Sequence, residues 1–189
     1  MSILPHGPRS ATGLQPHSAM RRSNANEHYR VRVAGETLRF SAAHFITYGT
    51  REVEPLHGHD YRVAADIGAP LGPHGCVADF LAVDRALKEL IGHLDHRTLL
   101  PERHPEVRFD VRAEEIEVVL RARRWIFPRA DCVLLPVENT TAEALAGHLA
   151  AALLAKLAPQ CSHPLTCVRV EVFESPGFSA VCTLGPAAE

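Results

Sequence analysis

The sequence predicts an α+β fold, an antiparallel sheet with helices packed on it. Two stretches alternate apolar and polar residues and read as strands with one buried face: "TLRFSAAH" at residues 37–44 and "HGHDYRVAADI" at 57–67. Two later stretches repeat apolar residues at helical spacing, and the chain closes on two alternating runs joined around "ESPG". The order strand, strand, helix, insert, helix, strand, strand points to an α+β domain with an antiparallel sheet.

Residues 1–27 are rich in Pro, Ser, Gly, Asn and Arg without periodicity, which predicts a disordered tail ahead of a single domain over residues 28–185. On the first strand Leu38, Phe40, Ala42 and His44 share a face. On the second His57, His59, Tyr61, Val63, Ala65 and Ile67 share one, with Asp60, Arg62 and Asp66 opposite. "GAPLGPHG" then turns the chain. The first helix is expected to be capped by Asp79 and to bury Phe80, Val83, Leu87, Leu90, Ile91 and Leu94, with "LDHRTLLP" ending it and Pro101 barring continuation. Residues 102–137, with "VRFDV", "IEVVLRARRWIF" and "CVLLPV", read as two or three short strands, a β-hairpin inserted between the helices. The second helix starts at "TTAE", where Thr140 and Glu143 have capping-box spacing, and buries Leu145, Leu149, Leu153 and Leu157. On the penultimate strand Val168, Val170, Val172 and Glu174 share a face, so a carboxylate terminates an apolar row.

Composition bounds the function. The chain has 189 residues, 46% of them apolar and 22% charged, with a formal net charge of −2. That balance fits one globular core and gives no support for nucleic-acid binding. No run reaches the roughly 18 to 20 apolar residues of a membrane span, and "MSILPHGPRS" lacks the pattern of a signal peptide. The five cysteines are widely spaced without a C-x-x-C, so a disulfide framework is not expected and a reducing cytoplasm is the simpler setting.

The chemistry concentrates in "EPLHGHDY". His57 and His59 project from one strand face, roughly 6.5 to 7 Å apart along an extended chain, and His44 ends the neighbouring strand's face. Three neutral imidazoles without a fourth protein ligand suit a catalytic zinc, whose open position takes water or substrate. An H-x-H pair alone is weak evidence, its alternative being two surface or turn histidines.

Taken together, "FSAAHF", "LHGHDY", "VADF" before a helix, "LDHRTLL", "NTTAE" opening a second helix and the late "VFES" resemble the 6-pyruvoyl-tetrahydropterin synthase and 6-carboxytetrahydropterin synthase family. The resemblance covers about residues 37–100 and 138–184. It implies the tunnelling fold, a four-stranded antiparallel sheet with two helices on one face, assembled through its sheets into a homo-oligomer with active sites between subunits. It implies Zn²⁺ held by His44, His57 and His59, and a zinc-dependent lyase acting on a dihydropterin, 7,8-dihydroneopterin triphosphate. Asp95 and His96 match the family's Asp-His pair, in which the carboxylate orients an imidazole that moves protons. Glu174 matches the glutamate that takes the pterin's amidine edge. Glu143 matches another family glutamate, which the capping box explains about as well.

The chain also departs from the common pattern. Val53 stands where a cysteine usually precedes H-G-H by four positions, and Glu54 matches instead the E-x-x-H-G-H variant, associated with cleaving the side chain to 6-hydroxymethyl-dihydropterin for folate synthesis. Glu54 is the candidate proton acceptor, with Glu52 its rival and a solvated loop charge the bland alternative. Leu100 replaces an asparagine frequent four positions after the Asp-His pair. Arg121, Arg123 and Arg124 in the insert either meet a triphosphate or, as is favoured, solvate an extra hairpin. A zinc hydrolase and a non-catalytic pterin-binding relative are the readings from other classes.

Overall fold

The computed structural model describes residues 28–49, 52–72, 74–161 and 163–185, and the tail expected over residues 1–27 lies outside them. The chain runs β1 (Arg30–His44), a small hairpin of β2 (Thr47–Tyr48) and β3 (Glu52–Val53), β4 (His57–Gly68), α1 (Phe80–Gly92) and β5 (Arg97–Pro101). An inserted sheet of β6 (Arg108–Val111), β7 (Glu115–Leu120) and β8 (Arg123–Pro128) follows, then β9 (Cys132–Leu135), α2 (Ala142–Leu157), β10 (Cys167–Ser175) and β11 (Phe178–Leu184).

The main sheet has the order β11-β10-β4-β1-β5-β9. Its first four strands are the expected antiparallel set, but the sheet is six-stranded, because β5 adds parallel to β1 and β9 adds parallel to β5. The sequence predicts only the end of the first helix in "LDHRTLLP" and no strand there. Leu99, Leu100 and Pro101 are extended and buried instead, an apolar run without the alternation that marks a half-exposed strand. Both helices lie against one face of the sheet. Leu38, Phe40, Tyr61 and Val172 meet Leu87, Ile91, Leu145 and Leu149 in one core, each burial worth about 1.5–3 kcal/mol.

Capping differs in one instructive place. Asp79 caps α1 as expected, its Oδ1 accepting from the Leu81 N–H at 2.9 Å, although Phe80 is 56% exposed and Ala86 takes a place in the buried stripe. The cap of α2 is Thr141, whose hydroxyl accepts from the Ala144 N–H at 3.3 Å, so the Thr140–Glu143 capping box does not form. Thr140 is fully buried and donates its hydroxyl to the Phe45 carbonyl at 2.8 Å.

The insert is a three-stranded antiparallel sheet rather than a hairpin, with a core of its own. Val107, Ile116, Val118 and Leu120 pack with Phe45, Leu100 and Cys132. Two of its arginines are engaged locally. Arg121, in the left-handed region at φ 56° in the β7–β8 turn, holds Glu106 through two bonds of 2.6 and 3.1 Å, and Arg124 holds Glu117 at 2.6 Å. The five cysteines are free, and among the described residues no helix is long and apolar enough to cross a membrane.

Candidate functional site

Side chains on a strand alternate, so the β1–β4 register decides which groups meet. His44 pairs with His57 and Ala42 with His59, which brings three imidazoles together at one end of the sheet. One ring nitrogen from each lies within 4.8 Å of the others. His44 is fully buried, and His57 and His59 are half-buried.

The hydrogen bonds fix the tautomers. His44 Nδ1 lies 2.8 Å from the Thr140 carbonyl and His57 Nδ1 lies 2.8 Å from the Pro55 carbonyl. A carbonyl only accepts, so each Nδ1 donates and each Nε2 is left with a lone pair. The two Nε2 atoms are 3.2 Å apart. Lone pairs facing at that distance repel unless a cation lies between them, and two nitrogens on one tetrahedral zinc stand about 3.3 Å apart. Burial is the main cause holding the His44 pKa below its usual value, against the opposing Thr140 bond, and this keeps the ring in its neutral, ligating form.

Glu174 terminates the apolar row of β10 and turns its carboxylate to the trio. Its Oε1 is 3.7 Å from His44 Nε2 and 3.8 Å from His59 Nε2, and it is buried without a hydrogen-bond partner. A buried carboxylate oxygen that makes no hydrogen bond is costly, and a cation held by the neighbouring imidazoles would offset that cost. The donor set therefore fits a divalent metal. Tyr61, which sequence reading placed only in the apolar stripe, sets its hydroxyl 3.2 Å from His44 Nε2. Burial first, and the Glu174 carboxylate second, push the phenol pKa up and keep it protonated.

Glu54 follows β3, and its Oε1 stands 3.9 Å from His57 Nε2, with the Tyr48 hydroxyl donating to Oε2 at 3.5 Å. Glu52 is exposed and makes no such contact among the described residues. Glu143 is exposed in the first turn of α2.

Asp95 and His96 are brought to each other, with His96 Nδ1 2.9 Å from Asp95 Oδ2, and among the described residues no hydrogen bond or ion pair joins them to the trio. Asp95 Oδ1 accepts from the Ser41 N–H at 2.8 Å, and the His96 N–H donates to the Ser41 carbonyl at 2.7 Å. Ser41 and Asp60 alternate with Ala42 and His59, so they face away from the helices while the histidines face toward them. Together with Gly58, His59, Asp60 and Asp131, His96 lines an open cleft of about 550 Å³. The Ser41 N–H first, and the His96 ring after it, hold the Asp95 carboxyl below the usual carboxylate range.

His96 adopts φ 56°, a conformation in which a Cβ is strained. Its side chain is 82% exposed, so truncation removes little packing. His96→Gly is expected to be more stable than His96→Ala by about 1 kcal/mol in denaturant melts. Equal stability of the two would mean that the backbone there is unstrained.

A family model described as 6-pyruvoyl tetrahydropterin synthase matches residues 35–184. A Methanocaldococcus jannaschii protein provisionally named 6-carboxy-5,6,7,8-tetrahydropterin synthase is 35% identical over 114 residues, 60% of this chain and 69% of that protein. A Pyrococcus abyssi protein with the same provisional name is 30% identical over 151 residues, 78% of this chain and 87% of the other. Among solved structures, the 6-pyruvoyl tetrahydropterin synthase of Plasmodium falciparum matches with a TM-score of 0.79 at 26% identity, over 85% of this chain and 99% of that one.

Proposed function

The chain belongs to the 6-pyruvoyl tetrahydropterin synthase family, and from that premise we propose that it is a zinc-dependent lyase acting on the side chain of 7,8-dihydroneopterin triphosphate. The observation that carries the reading is the pair of Nε2 lone pairs of His44 and His57, 3.2 Å apart, with His59 and the unpartnered Glu174 oxygen beside them. His44, His57 and His59 would hold the metal. When bound, zinc supplies a Lewis acid that makes substrate hydroxyls easier to deprotonate.

The chain's own groups take the remaining roles. Glu54 accepts a proton from the substrate's side chain, since its carboxylate stands at the rim of the trio. Glu174, with 26% of its side chain exposed, takes the pterin's amidine N–H pair. His96, oriented by Asp95, returns a proton. The Asp95–His96 pair is tied to the backbone of Ser41, whose side chain points to the other side of the sheet from His44, which favours a site in which the His96 of a second copy serves the trio of the first, in a homo-oligomer.

A second outcome of the same chemistry is favoured by Glu54 itself. With Val53 in the usual cysteine position and no thiol between His44 and His59, a carboxylate is the base at hand, as in the variant that cleaves to 6-hydroxymethyl-dihydropterin. Mass spectrometry after incubating zinc-loaded protein with 7,8-dihydroneopterin triphosphate separates the outcomes. Release of inorganic triphosphate with a rearranged side chain marks elimination, and 6-hydroxymethyl-dihydropterin marks cleavage. No conversion overturns both.

A further inference from the structure

The inserted sheet reaches the loop that carries Glu54. Trp125 on β8 stacks on Phe45, with ring centroids 5.2 Å apart and planes 8° from parallel, and Val53 and Leu56 pack against the same small core. Phe45 adjoins His44, and Val53 and Leu56 bracket Glu54. One polar contact is more specific. Arg123 Nη2 donates to the Val53 carbonyl at 2.9 Å, while the Glu54 N–H donates to the Ile46 carbonyl at 2.8 Å.

That carbonyl and that N–H belong to one peptide group. A planar unit held at both ends cannot rotate without losing a hydrogen bond. Its orientation sets the direction in which the Glu54 side chain leaves the backbone. The guanidinium is a charged donor, so its bond to the carbonyl is stronger than a neutral one. Arg121 and Arg124 are held within the insert by Glu106 and Glu117, whereas Arg123 crosses to the loop.

We propose that Arg123 is a positioning residue for Glu54 and that the inserted sheet is the frame from which it acts. The catalytic half of this inference rests on Glu54 being the proton acceptor proposed above. The structural half does not. Misplacing a reacting group by about 1 Å can cost as much as a hundredfold in rate, so losing this contact should be visible in turnover.

The test uses the full chain and the variants Arg123→Met, which keeps the aliphatic stem without a donor, Arg123→Lys, Glu54→Gln and the Arg123→Met/Glu54→Gln double variant. Trp125, the chain's single tryptophan, reports through its emission that the insert stays docked on Phe45. In Arg123→Met, amide exchange over residues 52–56 should speed by about tenfold or more, with β1 and β4 unchanged. Its kcat on 7,8-dihydroneopterin triphosphate should fall about tenfold with KM within about twofold, Arg123→Lys should recover part of the loss, and the double variant should be no slower than Glu54→Gln alone. Unchanged exchange at residues 52–56 overturns the proposal, as do losses that multiply in the double variant. Should the parent fail to turn over the pterin, the functional reading fails, and the exchange measurement alone decides whether Arg123 positions the loop.

Discussion

Replacing His57 by alanine should lower metal affinity at least about a hundredfold, since losing even an outer-sphere partner of a metal ligand costs 10–100-fold. His57 is the ligand to choose because its side chain is 30% exposed, whereas His44 is fully buried and its truncation would add the cost of a core cavity. Competition titration against a chelator measures the affinity directly. Thermal melting supplies an independent readout. A metal at a hundredfold excess over its Kd stabilises a folded protein by about 2.7 kcal/mol, a gain the parent should show and the variant should lose. Turnover of the pterin should fall with metal content. A His57→Ala protein that binds zinc within about tenfold of the parent would place the metal on other donors and remove the basis of the lyase reading.

The trio was legible because a half-buried strand has a period of two, and a single register between two such strands decides which side chains meet. His44 closes one apolar row and His57 and His59 open the other; alternation puts each set on one face of its strand, and the β1–β4 register joins them. What supports them was not legible. Thr140 and Thr141 look alike to a capping rule, and only the buried position of Thr140 turns its carbonyl to His44 Nδ1. β5 escaped because an apolar run such as "RTLLP" carries no alternation, and a strand covered on both faces needs none, while β9 is legible as a strand in "CVLLPV" but not its parallel pairing to β5 in the main sheet. The adjacency of Asp95 and His96 was visible, but not the hydrogen bonds to Ser41 that fix where the pair sits relative to the trio. Arg123 stood in "RARR" among like charges, and its partner is 70 residues away in the chain. Local pattern thus groups the imidazoles of each strand, the family resemblance supplies the other candidate groups, and the contacts that aim them come from tertiary structure.

Glu54→Gln should lower kcat by about 10²–10⁴, the range expected when a positioned proton acceptor is removed. Glutamine keeps the size of the side chain and its reach toward the Tyr48 hydroxyl, so what is lost is the charge and the ability to take a proton. KM should change little, because proton acceptance matters in the transition state and not in binding. Zinc affinity should stay within a few-fold, since Glu54 is 3.9 Å from His57 Nε2 and outside the trio. Glu52→Gln is the matched control, two residues away and exposed, and should leave kcat within about twofold, the range of ordinary surface substitutions. If the control loses turnover and Glu54→Gln keeps it, the base is Glu52. If both keep it, the proton goes to a group outside this loop, and positioning Glu54 would be without consequence for rate.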